Sequence, residues 1–345
     1  MAAWRRLRLL TWPLGLLGML GGTLAVVPPA GAPAPATATC TARLLVLSAM
    51  PLELDPILAR ATVDPGSTVV LHERPFVTGT LGGKPVIMGL TGIGPENALA
   101  TTTAAFDAFR CGGAPEISGV VFSGTSGGDF IGDVFVPSAW TQDGKTSVAT
   151  DPGMYSVAQT VAPTVVLERS TPTGDPACVC GLAGGVTTPV TVQHAPTVAF
   201  GGTGLTTDPF GGRTLPCAPA GSDVFGCVPC REMDQSQLEQ AVAFAQGIVP
   251  FADPSFFTGY FQSSSPQGTF ASEDNETAVV AAVATQNGVP FIGFRAASDG
   301  PGNTPGTGGD PLMLPGYPAQ FFVYRQLAAD NAAAMASAFV SAWTG

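Results

Sequence analysis

Charge is scarce in this chain of 345 residues: Asp, Glu, Lys and Arg make up 11% of it, and 14 basic residues are set against 25 acidic ones. The resulting formal charge of −11 argues against a nucleic-acid polyanion as partner. Histidine is rarer still. The two present, His72 and His194, show neither the spacing of metal ligands nor a nucleophile beside them, so no metal and no cofactor is expected. There is no internal repeat. Glycine and proline, by contrast, are abundant at 44 and 32 residues, which suits a loop-rich extracytoplasmic protein better than a helical one.

Residues 1–38 begin with Arg5, Arg6 and Arg8, continue through an apolar run from Leu9 to Val27, and reach Ala36-Thr37-Ala38, a small-residue site suited to cleavage before Thr39. That layout predicts a signal peptide, a secreted or extracytoplasmic product, and no stable membrane partner once the signal is cleaved. The rival is an uncleaved anchor, because Leu9 to Val27 is almost long enough to span a bilayer. Cleavage removes three arginines and no acid, moving the charge from −11 to about −14. Residues 39–345 are long enough for one large domain, interrupted at about 145–268 by a stretch rich in Gly, Pro, Thr and Ser. Five of the seven cysteines lie there: Cys178, Cys180, Cys217, Cys227 and Cys230. In an exported chain they favour disulfides over zinc. Cys40 and Cys111 flank the first strand and a later helix, and can pair if both lie at the amino end of the sheet. Seven is odd, so at least one thiol is free or intermolecular.

Three strand-and-turn units carry the chemistry. In the first, the apolar run Leu44 to Leu47 leads through Ser48-Ala49-Met50 into a helix opened by Pro51, which puts Glu53 in the first helical turn, where a carboxylate suits the helix dipole whatever else it does. In the second, Val120 to Phe122 reads as a strand ending in a small-residue loop, Ser123 to Asp129, whose backbone amides can approach a ligand closely. In the third, Glu276 precedes a helix predicted over Thr277 to Asn287, stopped by Gly288; a strand follows over Val289 to Phe294, with Arg295, Ser298 and Asp299 where it runs out. A plain turn at Ser298-Asp299-Gly300 is the bland reading of that end. A further helix opens at Pro95 and Glu96, with Leu99, Thr102, Phe106 and Phe109 as its buried face. The last helix is predicted over about Pro318 to Trp343. Gly300 to Gly309 reads either as an ordinary loop or as a lid over Asp299.

The motifs SAMPLEL (48–54), TGIGPENALA (91–100), SGTSGGDFIGDV (123–134), DNETA (274–278) and VPFIGFRAASD (289–299), in that order, resemble the nucleoside phosphorylase and nucleosidase superfamily, most closely its nucleosidases for methylthioadenosine and S-adenosylhomocysteine. The resemblance covers roughly 43–140 and 270–343. It implies that Glu53 activates the attacking water, that Asp299 helps protonate the purine leaving group, and that Glu276 grips the ribose hydroxyls. Arg295 and Ser298 match supporting positions around the acid. Thr125 stands where the family usually has serine, a departure that keeps the hydroxyl. Asn275 stands where it usually has a methionine packed on the ribose, a larger departure that bears on any 5′-thioether preference. Phe210 matches an aromatic residue against the purine, and Phe321 on the last helix a residue that reaches the site.

The resemblance implies a three-layer α/β/α sandwich with a mixed central sheet and a loop-rich, disulfide-bearing insertion. Phosphorylases of the family place phosphate-binding arginines in the loops that here run Ser48 to Leu52 and Leu90 to Ala100, and neither contains Arg or Lys. Water is therefore the expected nucleophile. The chain is expected to be a secreted purine nucleosidase-like hydrolase whose partner is a small-molecule purine nucleoside, with a homo-oligomer left open. The alternatives are a purine nucleoside phosphorylase and a non-catalytic nucleoside-binding or storage protein of the same fold.

Overall fold

The computed structural model describes residues 40–172, 188–217, 223–228, 269–300, 309–314, 317 and 319–345. The signal region, Cys178, Cys180, Cys230 and most of the stretch 300–309 lie outside the described residues. Fifteen strands are described: β1 Arg43–Ser48, β2 Ala61–Val63, β3 Val69–Leu71, β4 Arg74–Leu81, β5 Lys84–Leu90, β6 Arg110–Cys111, β7 Ala114–Pro115, β8 Ile117–Gly127, β9 Val134–Val136, β10 Ala139–Thr141, β11 Ser147–Ala149, β12 Val198–Phe200, β13 Thr203–Thr206, β14 Ser272–Asp274 and β15 Phe291–Asp299. The helices are α1 Pro51–Leu58, α2 Pro95–Ala108, α3 Pro152–Val161, α4 Thr277–Gln286 and α5 Ala319–Ala342.

All but β6 and β7 join one mixed sheet with the order β11-β10-β13-β14-β8-β1-β5-β4-β2, to which β15 adds by pairing with β8 and β9. Its centre is parallel: β1 pairs with β5 and β8, and β15 pairs with β8, all in one direction. Strands covered on both faces read as continuous apolar runs because successive side chains go to opposite sides. Leu45, Leu47, Val120 and Phe122 accordingly join one core with α2 and α4, while Leu44, Val46, Val121, Ile292 and Phe294 join the other with α1, α3 and α5. Helices on both faces of a mixed sheet make the expected three-layer α/β/α sandwich. Part of the stretch 145–268 is built into that sheet, since β13 sits between β10 and β14 and β12 pairs with β9.

Several elements differ from their sequence reading. Strand β8 continues through Gly127 and β15 through Asp299. Thr125, Ser126, Arg295, Ser298 and Asp299 are therefore strand residues, not residues of loops beyond the strands. Polar side chains and glycines look like turn residues in sequence, yet here they stay extended because the two strands pair with each other almost to their ends. On α2, Thr102, Phe106 and Phe109 are buried as expected, but Leu99 is 44% exposed; Ala98, Thr101 and Ala105, small residues that let α2 lie close to α4, complete the buried side. The helix predicted after Glu276 is seen as Thr277–Gln286, with Gly288 at a φ of +69° just past it.

Cys40 and Cys111 form a disulfide that ties the entry to β1 to the hairpin of β6 and β7, and Cys217 pairs with Cys227. No helix among the described residues is long and apolar enough to cross a membrane.

Candidate active site

Because β1, β8 and β15 are parallel, their carboxyl ends lie along one edge of the sheet, where ligand sites form in open α/β folds. A cavity of about 290 Å³ opens there. Five carboxylate residues line it: Glu53, Glu273, Asp274, Glu276 and Asp299. Met50, Ile93, Tyr317 and Phe321 supply apolar wall, and among the described residues no Lys or Arg lines it.

Glu53 is delivered by the first turn of α1 and is fully buried. Its Oε2 accepts hydrogen bonds from the amides of Ala49 at 2.8 Å and Met50 at 3.1 Å, the orphan donors of a helix start. Its Oε1 accepts from the Thr125 amide at 2.7 Å and from Thr125 Oγ1 at 2.9 Å. Burial pushes its pKa up, against the nearby Arg295 charge and the Thr125 and Ala49 bonds, which favour the ionised form. Gly124 makes this possible: a Cβ there would fall 2.3 Å from Arg295 Nη1 and 2.6 Å from Glu53 Oε1.

Arg295 binds the back of the site together. Its Nη2 lies 2.9 Å from Glu276 Oε2, its Nε 2.8 Å from Asp274 Oδ2, and its Nη1 3.6 Å from Glu53 Oε1. Nη1 also donates to the Thr125 carbonyl at 3.1 Å, and the guanidinium lies 4.3 Å from the Phe122 ring centroid. Burial works against its charge, but the three carboxylates outweigh it and hold its pKa above the ordinary value. Glu276 stands at the N-cap of α4, where Oε1 accepts from the Gly94 amide at 2.8 Å. Burial raises its pKa; Arg295 opposes that, and the like charges of Asp274 and Glu53 add to it.

Asp299 reaches the cavity from the end of β15 and keeps partial exposure through it. Burial pushes its pKa up to about 7, Ser298 opposes that through a 2.8 Å bond from its Oγ to Asp299 Oδ1, and the charge of Glu273 adds to it. Asp299 and Glu273 are the register partners of Gly127 from its two sides. The bare Gly127 thus leaves a gap between two carboxylates.

The sequence-selected residues mostly meet at this cavity. Glu53, Thr125, Asn275, Glu276, Ser298, Asp299 and also Phe321 line it. Arg295 lies behind the wall and contacts Glu53, Asp274 and Glu276; Ser298 is the residue that touches Asp299. Asn275 spends its amide on Thr207, donating to Thr207 Oγ1 at 2.9 Å and the Thr207 carbonyl at 3.1 Å. Phe210 is buried with its ring against Gly94, and it is not part of the cavity wall. Asp274 was not singled out from sequence, although it takes the Arg295 Nε, the Thr206 hydroxyl at 2.6 Å and the Thr277 hydroxyl. Its place two residues before Glu276 was the available signal. Glu273, next to Asp274, shares that signal; Thr207 and Tyr317 have none, because the pairing of β13 with β14 and the segment before α5 bring them in from distant parts of the chain.

Comparison with known proteins agrees with this fold. The sequence model of the Phosphorylase superfamily matches residues 43–195. Rv2293c of Mycobacterium tuberculosis is 44% identical over 145 residues, 41% of this chain; the match spans 58% of that protein's length. Rv2292c of the same organism is 54% identical over 76 residues, 22% of this chain and 93% of its own. Among solved structures, the 5′-methylthioadenosine/S-adenosylhomocysteine nucleosidase of Neisseria meningitidis superposes with a TM-score of 0.51 at 16% identity, covering 87% of this chain and 99% of the other. The futalosine hydrolase of Helicobacter pylori gives 0.50 at 18% identity, covering 87% and 97%. At those identities the superpositions speak for the fold alone: the chain has the α/β/α fold of those nucleosidases, and its residues 43–195 are similar to the Phosphorylase superfamily.

Proposed function

We propose that this protein is a purine nucleosidase-like hydrolase that breaks an N-glycosidic bond by attack of water. The observation that carries the reading is the acidic cavity, in which Glu53 and Asp299 arrive from separate strand ends and no described Lys or Arg lines the wall. A phosphate nucleophile would meet five carboxylates and, among the described residues of the wall, no cation. Water suits such a wall, and phosphate calls for arginines or clustered amides.

Cleaving the bond between the sugar and the base leaves the electron pair on the base nitrogen and positive charge on the sugar. Asp299, with a pKa of about 7, holds a proton near neutrality and gives it to the departing base. Glu53, whose donors favour the ionised form against its burial, takes a proton from the water as the water oxygen bonds to the sugar carbon, the Thr125 hydroxyl turning to free a lone pair on Glu53 Oε1. The products are free base and free sugar. Each oxygen of Glu276 accepts one bond within the protein and keeps a lone pair for a ribose hydroxyl. The neighbours named for methylthioadenosine, S-adenosylhomocysteine and futalosine support a nucleoside as the substrate class, while Asn275 gives a more polar wall than a methionine and speaks against a thioether preference. Export follows from the basic and then apolar residues 1–38, and the two disulfides support an oxidising compartment.

The test is a panel of purine nucleosides incubated with and without phosphate, with the sugar product identified. Free ribose is expected in both conditions, and Glu53→Gln should slow its release by about 10²- to 10⁴-fold. Strict phosphate dependence with ribose 1-phosphate accumulating would replace hydrolysis by phosphorolysis. Tight purine binding without any cleavage would favour a binding or storage role.

A further inference from the structure

We propose that Gln320 is a positioning residue for the acid Asp299, a role that rests on the nucleosidase reading above. The peptide group joining Asp299 to Gly300 is held at both of its polar atoms. The Asp299 carbonyl accepts from the Gly128 amide at 2.9 Å, and the Gly300 amide donates to Gln320 Oε1 at 2.7 Å. Fixing that plane fixes the backbone torsion that aims the Asp299 carboxyl. The backbone at Gly300 also runs close to Gly128, since a Cβ there would lie 2.5 Å from the Gly128 carbonyl oxygen.

Gln320 is itself held in one orientation. It is 1% exposed, and its Nε2 donates to Asp310 Oδ2 at 3.1 Å, which leaves Oε1 turned toward Gly300. Asp310 is in turn fixed by the amides of Leu312 and Leu314, both at 2.8 Å, and by the Tyr324 hydroxyl. A buried amide with both ends satisfied in this way specifies one geometry. Gln320 also precedes Phe321, which lines the cavity as Asp299 does. One side chain therefore couples the acid on β15 to the apolar wall on α5.

The substitution to make is Gln320→Met, which keeps the length of the side chain and removes both hydrogen bonds. A residue that acts through the general acid should matter only when the leaving group needs a proton. With a purine nucleoside, kcat/KM should fall by about 10- to 100-fold, the loss expected when a catalytic group is misplaced. With 4-nitrophenyl riboside, whose leaving group departs as the anion, the same sample should stay within about threefold of wild type, and Asp299→Asn should show the same split. Retained cleavage of the activated substrate also shows that the variant is folded. Equal losses on both substrates would reduce Gln320 to a structural residue and overturn the proposal, as would wild-type kinetics on the nucleoside. Wild-type protein that cleaves neither substrate would overturn the nucleosidase reading itself, and this proposal with it.

Discussion

A methyl group added at Gly124 should dismantle the site from behind, whereas the same methyl at Gly127 should leave the fold alone and act only on the cavity. At Gly124 the new Cβ would lie 2.3 Å from Arg295 Nη1 and 2.6 and 2.7 Å from Oε1 and Cδ of Glu53, all of them buried and fastened. Neither partner can yield cheaply, because Arg295 is tied to three carboxylates and Glu53 to four donors. Overpacking costs about 1–3 kcal/mol, and loss of one charge-assisted hydrogen bond about 1.5–3 more. Together these come to roughly 3–6 kcal/mol, and at about 2–4 °C per kcal/mol for a large domain Gly124→Ala should lower Tm by on the order of 10 °C or more. At Gly127 the nearest atom to the new Cβ is Asp299 Oδ2 at 3.4 Å, an ordinary contact. Gly127→Ala should melt within about 2 °C of wild type while narrowing the gap between Asp299 and Glu273 and raising KM. Calorimetry and nucleoside kinetics on the two variants decide the matter. Equal Tm values for Gly124→Ala and wild type would refute the packing argument.

Asp299→Asn should reveal the acid twice. Turnover of a purine nucleoside falls by about 10²- to 10⁴-fold, and stability changes with a definite sign. The folded-state pKa of about 7 lies above the ordinary 3.8, so the stability tied to the neutral carboxyl is complete below 3.8 and is lost as pH rises through 7. The amide cannot ionise, so Asp299→Asn should out-melt wild type at about pH 8 and lose that advantage toward pH 4; an advantage that grows on acidification would contradict the raised pKa. Glu276→Gln sets an NH₂ against either the Gly94 amide or Arg295 Nη2, both donors. It should slow ribosides by about tenfold or more and 2′-deoxynucleosides less, and equal rates on ribosides would remove Glu276 from sugar binding. Replacing Cys40 and Cys111 together by Ser frees a loop of sequence separation 71 and should cost about 2–4 kcal/mol, read as a lower denaturant midpoint.

The legible parts of this fold are those where one physical cause acts locally. The run Leu44 to Leu47 reads as a strand because a two-faced buried strand must be apolar throughout; Pro51 opens α1 because a missing N–H costs nothing there; Gly288 ends α4 because its φ is positive. Misreadings cluster where long-range pairing overrides local preference. Ser123 to Gly127 and Arg295 to Asp299 have the composition of turns, and only their mutual pairing keeps them extended. On α2 the periodicity finds Thr102, Phe106 and Phe109 correctly, whereas close approach to α4 adds alanines and Thr101 and leaves Leu99 outside. Asp274 passed unnoticed because its meaning lies in Arg295, 21 positions later in the sequence and 2.8 Å away in space. Motif order could nominate Glu53, Glu276 and Asp299, but it could not say that Arg295 serves the first two rather than the third.

That placement of Arg295 bears on how the site would work. Replacing a buried ion pair by apolar residues is often neutral or stabilising, so stability is a weak reason to bury one guanidinium among Glu53, Asp274 and Glu276. The imbalance offers a better one. Three carboxylates on a single guanidinium leave the cluster two charges negative when all are ionised, and at Glu276 the like charges of Asp274 and Glu53 push the pKa up on top of its burial. A neutral nucleoside relieves little of that repulsion. A sugar that turns cationic as its bond to the base breaks relieves much more, because the carboxylates are already fixed by the amides of Ala49, Met50, Thr125 and Gly94 and need not reorganise. In the proposed reaction, then, Arg295 keeps the carboxylates assembled while leaving them undercompensated, so that the field is strongest in effect when positive charge appears on the sugar.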